Sequence, residues 1–157
     1  GYGVVNASAA TQAARTWPDA GTLLSANEVI ATGTAMPSVP IPDNNATGAT
    51  STITLSTTGI SGVEFVELTV TSNHAEFGDL FITLTSPGGT ASIITTPHTC
   101  NNGQPVPCGA LLTGGHTFGV ARLLGETANG VWTLNVSDAQ AGNTGSLLSW
   151  GLKVHGY

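Results

Sequence analysis

The sequence predicts an all-β protein, a jelly-roll β-sandwich preceded by one short helix. Three observations carry that expectation. Short alternating runs rich in Thr, Val, Ile and Leu follow one another from residue 28 to the C-terminus. Gly, Asn and Pro separate those runs at turn-like intervals. A convincing helical stretch is found only in residues 6–15, NASAATQAAR, which is dominated by Ala.

Taken in order, the helix begins at Asn6, whose side chain suits a cap, and is closed by Pro18 and Asp19-Ala20-Gly21. Strands are expected at residues 28–36, 51–57, 63–72, 79–86, 90–95, 116–123, 130–138 and 146–156. The stretch DLFITLTSPGGTASIIT reads as a hairpin, with Pro87 and Gly88 at the central positions of a type II turn. Alternation along it sends Leu80, Ile82 and Leu84 to one face. Residues 37–50, PSVPIPDNNATGAT, hold three Pro and are expected to be a connection. Trp132 alternates with Leu134 and Val136, and Trp150 with Leu152 and Val154, which suits a core. The other reading is an exposed aromatic platform for sugar, to which Trp17 would contribute.

Composition excludes several functions. A chain of 157 residues can bury a real core, and its 40% hydrophobic content includes no run approaching a membrane span. Only 8% of residues are charged, against about 25% in ordinary domains. The cations are Arg15, Arg122 and Lys153, and the formal net charge is −6. Nucleic acid is excluded as a partner, because its phosphates demand clustered Lys and Arg.

Cys100 and Cys108 bracket CNNGQPVPC, a loop of Gly and Pro whose ends can meet. A disulfide there would remove about 2.5 kcal/mol of unfolded-state freedom on the loop-entropy account, and it would place the protein outside the cytoplasm. A metal site needs more ligands than His98 adds. The four histidines, His74, His98, His116 and His155, show no metal-binding spacing. Asp43, Asp79, Glu126 and Asp138 each sit in a polar turn or at a strand end, with few cations to neutralise them. Such carboxylates beside backbone carbonyls suit a structural Ca²⁺. The alternative is an Asx-turn at Asp43 and loop-amide hydrogen bonds at Asp79 and Asp138. Three Asn-x-Ser/Thr sequons, at Asn6, Asn45 and Asn135, arise easily in so Asn- and Thr-rich a chain.

HAEFGDLFITLTSPGGTASIIT, from His74, resembles the P domain of kexin- and furin-like proprotein convertases. In that family a His is followed by Gly-Asp-Leu, an alternating strand, Ser-Pro-x-Gly-Thr and a second strand. The matching positions are His74, Gly78, Asp79, Ser86 and Pro87. The resemblance continues in GETANGVWTLNVSD, around Trp132, and GSLLSWGLKVHG, around Trp150. The opening GYGVVNASAATQAARTW resembles the last turn and helix of a subtilisin-like catalytic domain, which in kexin-like enzymes leads directly to a P domain. GTAMPS at 33–38 is similar to the nucleophile region of such proteases, but it carries Ala35 in place of the serine and follows the Gly-Tyr-Gly segment.

The resemblance implies a galactose-binding-domain-like jelly roll over 21–157, with residues 1–20 as the tail of the catalytic domain and linker. It implies no catalytic residues in this chain. The expected role is a non-catalytic module that stabilises or regulates an extracellular serine endopeptidase, bacterial in view of the CNNGQPVPC loop and the scarcity of charge. Its partner would be the catalytic domain in cis, with no membrane contact. The competing class is a binding module that tethers an enzyme to carbohydrate or protein substrate.

Overall fold

The computed structural model describes residues 6–16, 28–56, 58–100 and 107–157. Gly1–Val5, Trp17, Pro18 and the rest of 17–27 lie outside the described residues, as do 101–106. Helix α1 spans Ala7–Thr16, and the Asn6 Oδ1 accepts the Ala9 amide at 2.9 Å, so the expected cap is present. Among the described residues nine strands follow: β1 (Val29–Ala35), β2 (Val39–Ile41), β3 (Asn45–Leu55), β4 (Val63–Ser72), β5 (Leu80–Thr85), β6 (Ala91–Thr95), β7 (His116–Val120), β8 (Gly130–Asp138) and β9 (Gly145–Gly156).

The strands form two antiparallel sheets. One has the order β1-β9-β4-β7, with β2 also paired to β9; the other runs β3-β8-β5-β6. From β3 onward the chain changes sheet at every step except the β5–β6 hairpin. The core lies between the sheets, as alternation demands. Leu80, Ile82 and Leu84 of β5, Trp132, Leu134 and Val136 of β8, and Trp150, Leu152 and Val154 of β9 are all buried. Both indoles satisfy their N–H: Trp132 donates to the Ala128 carbonyl and Trp150 to the Ser51 hydroxyl, each at 2.9 Å. Gly33 lets β1 lie close on β3, since a Cβ there would meet Ile53 at 2.6 Å.

Two local expectations are corrected. Residues 37–50 are not a plain connection: they hold β2 and the first half of β3. Pro40 is tolerated because β2 is a three-residue strand at the sheet margin, paired on one side to β9. β3 starts with an irregularity between Asn45 and Ala49, where Gly48 has φ +64°. The 86–89 turn also differs. The Gly89 amide donates to the Ser86 carbonyl, so Pro87 and Gly88 are central, but the positive φ falls on Gly89 at +87°. That is a type I turn followed by a left-handed glycine, a favoured three-residue hairpin loop.

Candidate functional site

At one end of the sandwich, four of the residues singled out in the sequence, Asp43, His74, Asp79 and Asp138, meet around two sheet-to-sheet crossings. Residues 73–79 carry the chain from β4 to β5, and residues 139–144 carry it from β8 to β9. His74 stands between them and is 2% exposed. Its backbone amide donates to the Ser72 hydroxyl at 3.1 Å, and Ser72 in turn donates to the Ser146 carbonyl at 2.8 Å. Gly145 packs directly on it, so that a Cβ there would lie 2.2 Å from the His74 Cα.

The His74 ring bridges the two crossings. Nδ1 lies 2.8 Å from the Glu76 carbonyl oxygen, and Nε2 lies 3.2 Å from Asp138 Oδ2. Nδ1 also faces the Glu76 backbone amide, which points its N–H at the ring from 3.3 Å, so both ring nitrogens have buried partners and Asp138 is the one from the other crossing's side. Asp138 uses its other oxygen to accept the Gln140 amide at 3.0 Å. The 139–144 loop gains two further anchors. Asp43 Oδ1 accepts the Gly142 amide, and Asp79 Oδ2 accepts the Asn143 side-chain amide.

Glu76 is the member that no sequence pattern marked. Its carboxylate accepts three backbone amides, from Gly78 at 3.0 Å, Cys108 at 2.6 Å and Gly109 at 3.0 Å. It therefore fastens the disulfide loop to the β4–β5 crossing. Cys100 and Cys108 are bonded, with Cα atoms 4.8 Å apart, as expected. The Phe77 ring meets His98 edge-on at 5.5 Å and stacks on Phe118 at 6.4 Å, packing the base of the loop against β7. Two of the three partners of Glu76 lie 32 and 33 residues away, beyond any local sequence signal.

Ser86, Pro87 and Glu126 lie at the opposite end of β5. Ser86 donates to Glu126 Oε2, and Pro87 covers Gly130, where a Cβ would meet it at 2.7 Å. The four acids considered for Ca²⁺ are thus divided. Glu126 stands apart, Asp138 has both oxygens engaged, and Asp43 holds a loop amide. Asp79 faces a recess of about 460 Å³ whose other oxygen donors include Thr99, Gln140 and Asn143. Among the described residues, the group of ligand atoms close enough to share an ion is His98, Cys100 and Cys108, within 4.8 Å. Both of its sulfurs are spent in the disulfide.

The match to known proteins covers the same elements. Residues 63–154, from the start of β4 through nearly all of β9, match the proprotein convertase P-domain. The chain belongs to that family. The P domain aligns with a calcium-dependent protease of Nostoc sp., 28% identical over 149 residues, covering 95% of this chain and 21% of the relative. It is 31% identical over 154 residues to the extracellular serine protease of Aeromonas sobria, covering 72% of this chain and 24% of that protein. The chain thus spans less than a quarter of either relative. The crystal structure of the Aeromonas sobria serine protease with its chaperone superposes with a TM-score of 0.65 at 22% identity, over 83% of this chain and 27% of that one. At that identity the likeness speaks for the fold.

Proposed function

We propose that this chain is the non-catalytic P domain of a secreted bacterial subtilisin-like serine endopeptidase, and that it stabilises or regulates the protease domain in cis. The observation that carries the reading is the family match over residues 63–154, in a region that makes up 21–24% of relatives that are proteases. On this reading residues 1–20, with α1, are the end of the catalytic domain and its linker, and 21–157 are the P domain. The disulfide fits an extracellular location. Among the described residues no helix is long and apolar enough to cross a membrane, and the three cations do not cluster in sequence. Of the three tryptophans that the binding-module reading would place on a sugar platform, Trp132 and Trp150 are buried, and Trp17 lies outside the described residues.

The coding sequence upstream of Gly1 tests this directly. The expected finding is Gly-Thr-Ser-x-Ala-x-Pro, preceded by Asp and His blocks, and no turnover of peptide or ester substrates by the 157-residue chain alone. An unrelated upstream domain sinks the reading.

Calcium is proposed as a structural ion at the Asp79 recess, where an acid of the expected set shares its lining with the oxygen-bearing side chains of Thr99, Gln140 and Asn143. The calcium-dependence named for the Nostoc relative supports it. Binding to the native state raises the melting temperature in millimolar Ca²⁺ and lowers it in chelator. Asp79→Asn should abolish most of that difference, whereas an unchanged melt in chelator would falsify the site.

A further inference from the structure

The outer face of the five-stranded sheet carries a second histidine bridge, far from the first. β9 runs centrally between β1 and β4, and its register sets His155 opposite Ile30 on one side and Phe65 on the other. The next outward row is Thr32, Lys153 and Glu67. His155 Nδ1 lies 2.5 Å from Glu28 Oε1, and Nε2 lies 2.9 Å from Glu67 Oε1. Lys153 Nζ reaches the same Glu67 oxygen at 3.2 Å. The Phe65 ring stands 6.3 Å from the imidazole. Glu64, the residue that β4 bulges out between Val63 and Phe65, makes no hydrogen bond to the ring.

Two ionised carboxylates cannot donate, so both contacts require N–H groups from the ring. An imidazolium supplies two; a neutral imidazole supplies one and turns a lone pair toward the other carboxylate. The contacts are also unequal. Glu67 keeps Lys153 as a partner, whereas among the described residues Glu28 has His155 alone. Glu28 is the residue just before β1, the strand through which the chain enters the sandwich, and β1 is hydrogen-bonded along one side to β9. In a chain with three Lys and Arg in total, so tight a grouping of four ionisable groups marks one place where charge fixes strand position.

We propose that His155 is a proton-operated clamp that ties the entry of β1 to β4 across β9 when the ring is charged, and slackens the β1 entry when the ring loses its proton. The device belongs to the sandwich itself and does not rest on the role proposed above.

Amide hydrogen exchange on the 157-residue chain tests it, read as protection of Val29–Ala35 relative to the amides of β8. The ratio removes the ordinary pH dependence of exchange chemistry, which both strands share. Between about pH 5.5 and about pH 8, which bracket imidazole titration, relative protection of β1 should fall about fivefold. In His155→Gln and in Glu28→Gln it should stay level. A flat ratio in the unmodified chain, or an equal fall in His155→Gln, overturns the clamp. Nitrogen shifts of the His155 ring give a second readout that needs no variant. Two protonated nitrogens at the acid end and one at the alkaline end are expected; a singly protonated ring at both ends, with β1 equally protected, overturns the proposal as well.

Discussion

His74 and His155 present the same local chemistry in opposite surroundings. Each ring is held between two acceptors contributed by different strands or crossings. The His74 side chain is 1% exposed and its partner Asp138 0%. The His155 side chain is 14% exposed, with Glu28 at 34% and Glu67 at 37%. In the buried joint water cannot replace a lost partner, so each hydrogen bond must be kept for the fold to hold. On the sheet face water can take over any arm that lets go. The comparison separates a joint that specifies architecture from one that can respond to conditions.

The largest effect should come from breaking the buried joint. Asp138→Ala leaves the buried His74 Nε2 without its partner and frees the Gln140 amide. Leaving a buried polar group without its partner costs about 1–3 kcal/mol, a large share of a domain's stability of about 5–15 kcal/mol. Urea unfolding at neutral pH measures it. The matching change on the surface, Glu28→Ala, should cost under about 1 kcal/mol. If the two variants unfold at the same urea concentration, burial does not distinguish the joints and the comparison fails.

What the sequence disclosed follows the range of the interactions involved. Leu80, Ile82 and Leu84 announce their face through period-two alternation, and the Trp132 and Trp150 strands do likewise, because a pleated strand imposes that period locally. The Cys100–Cys108 bond was legible because eight positions of Gly- and Pro-rich chain close readily. β2 was hidden because Pro40 and the flanking prolines obey the rule against strands, and only a free margin beside β9 lets them evade it. Side-chain partnerships were illegible for another reason. Glu76 meets Cys108 at a separation of 32, Ser86 meets Glu126 at 40, and His155 meets Glu28 at 127. None of these leaves a periodic mark, since each exists only after the strands have paired. The motif positions could be identified individually, and the expected strand at 79–86 already parted Asp79 from Ser86, but not that the His74 ring would reach Asp138 across a separation of 64.

The smallest effect concerns the arm shared by Lys153. The Glu67 carboxyl is held below its ordinary 4.5, first by the hydrogen bond from His155 and then by that from Lys153. A depressed value in the folded state means that the contribution is present above the unfolded value and is lost as pH falls through the lowered one. The loss therefore belongs to the acid limb, below about pH 4.5, where His155 and Lys153 both carry charge and gain nothing from a protonated Glu67. Glu67→Gln removes that titration, so its stability should decline less steeply between about pH 5 and about pH 3 than that of the unmodified chain. Because Glu67 is solvent-facing, the difference should shrink in high salt. Equal slopes at low salt would mean that Glu67 gains nothing from its two donors. The surface bridge would then be geometry without energy, and the contrast with the buried His74 joint would be greater still.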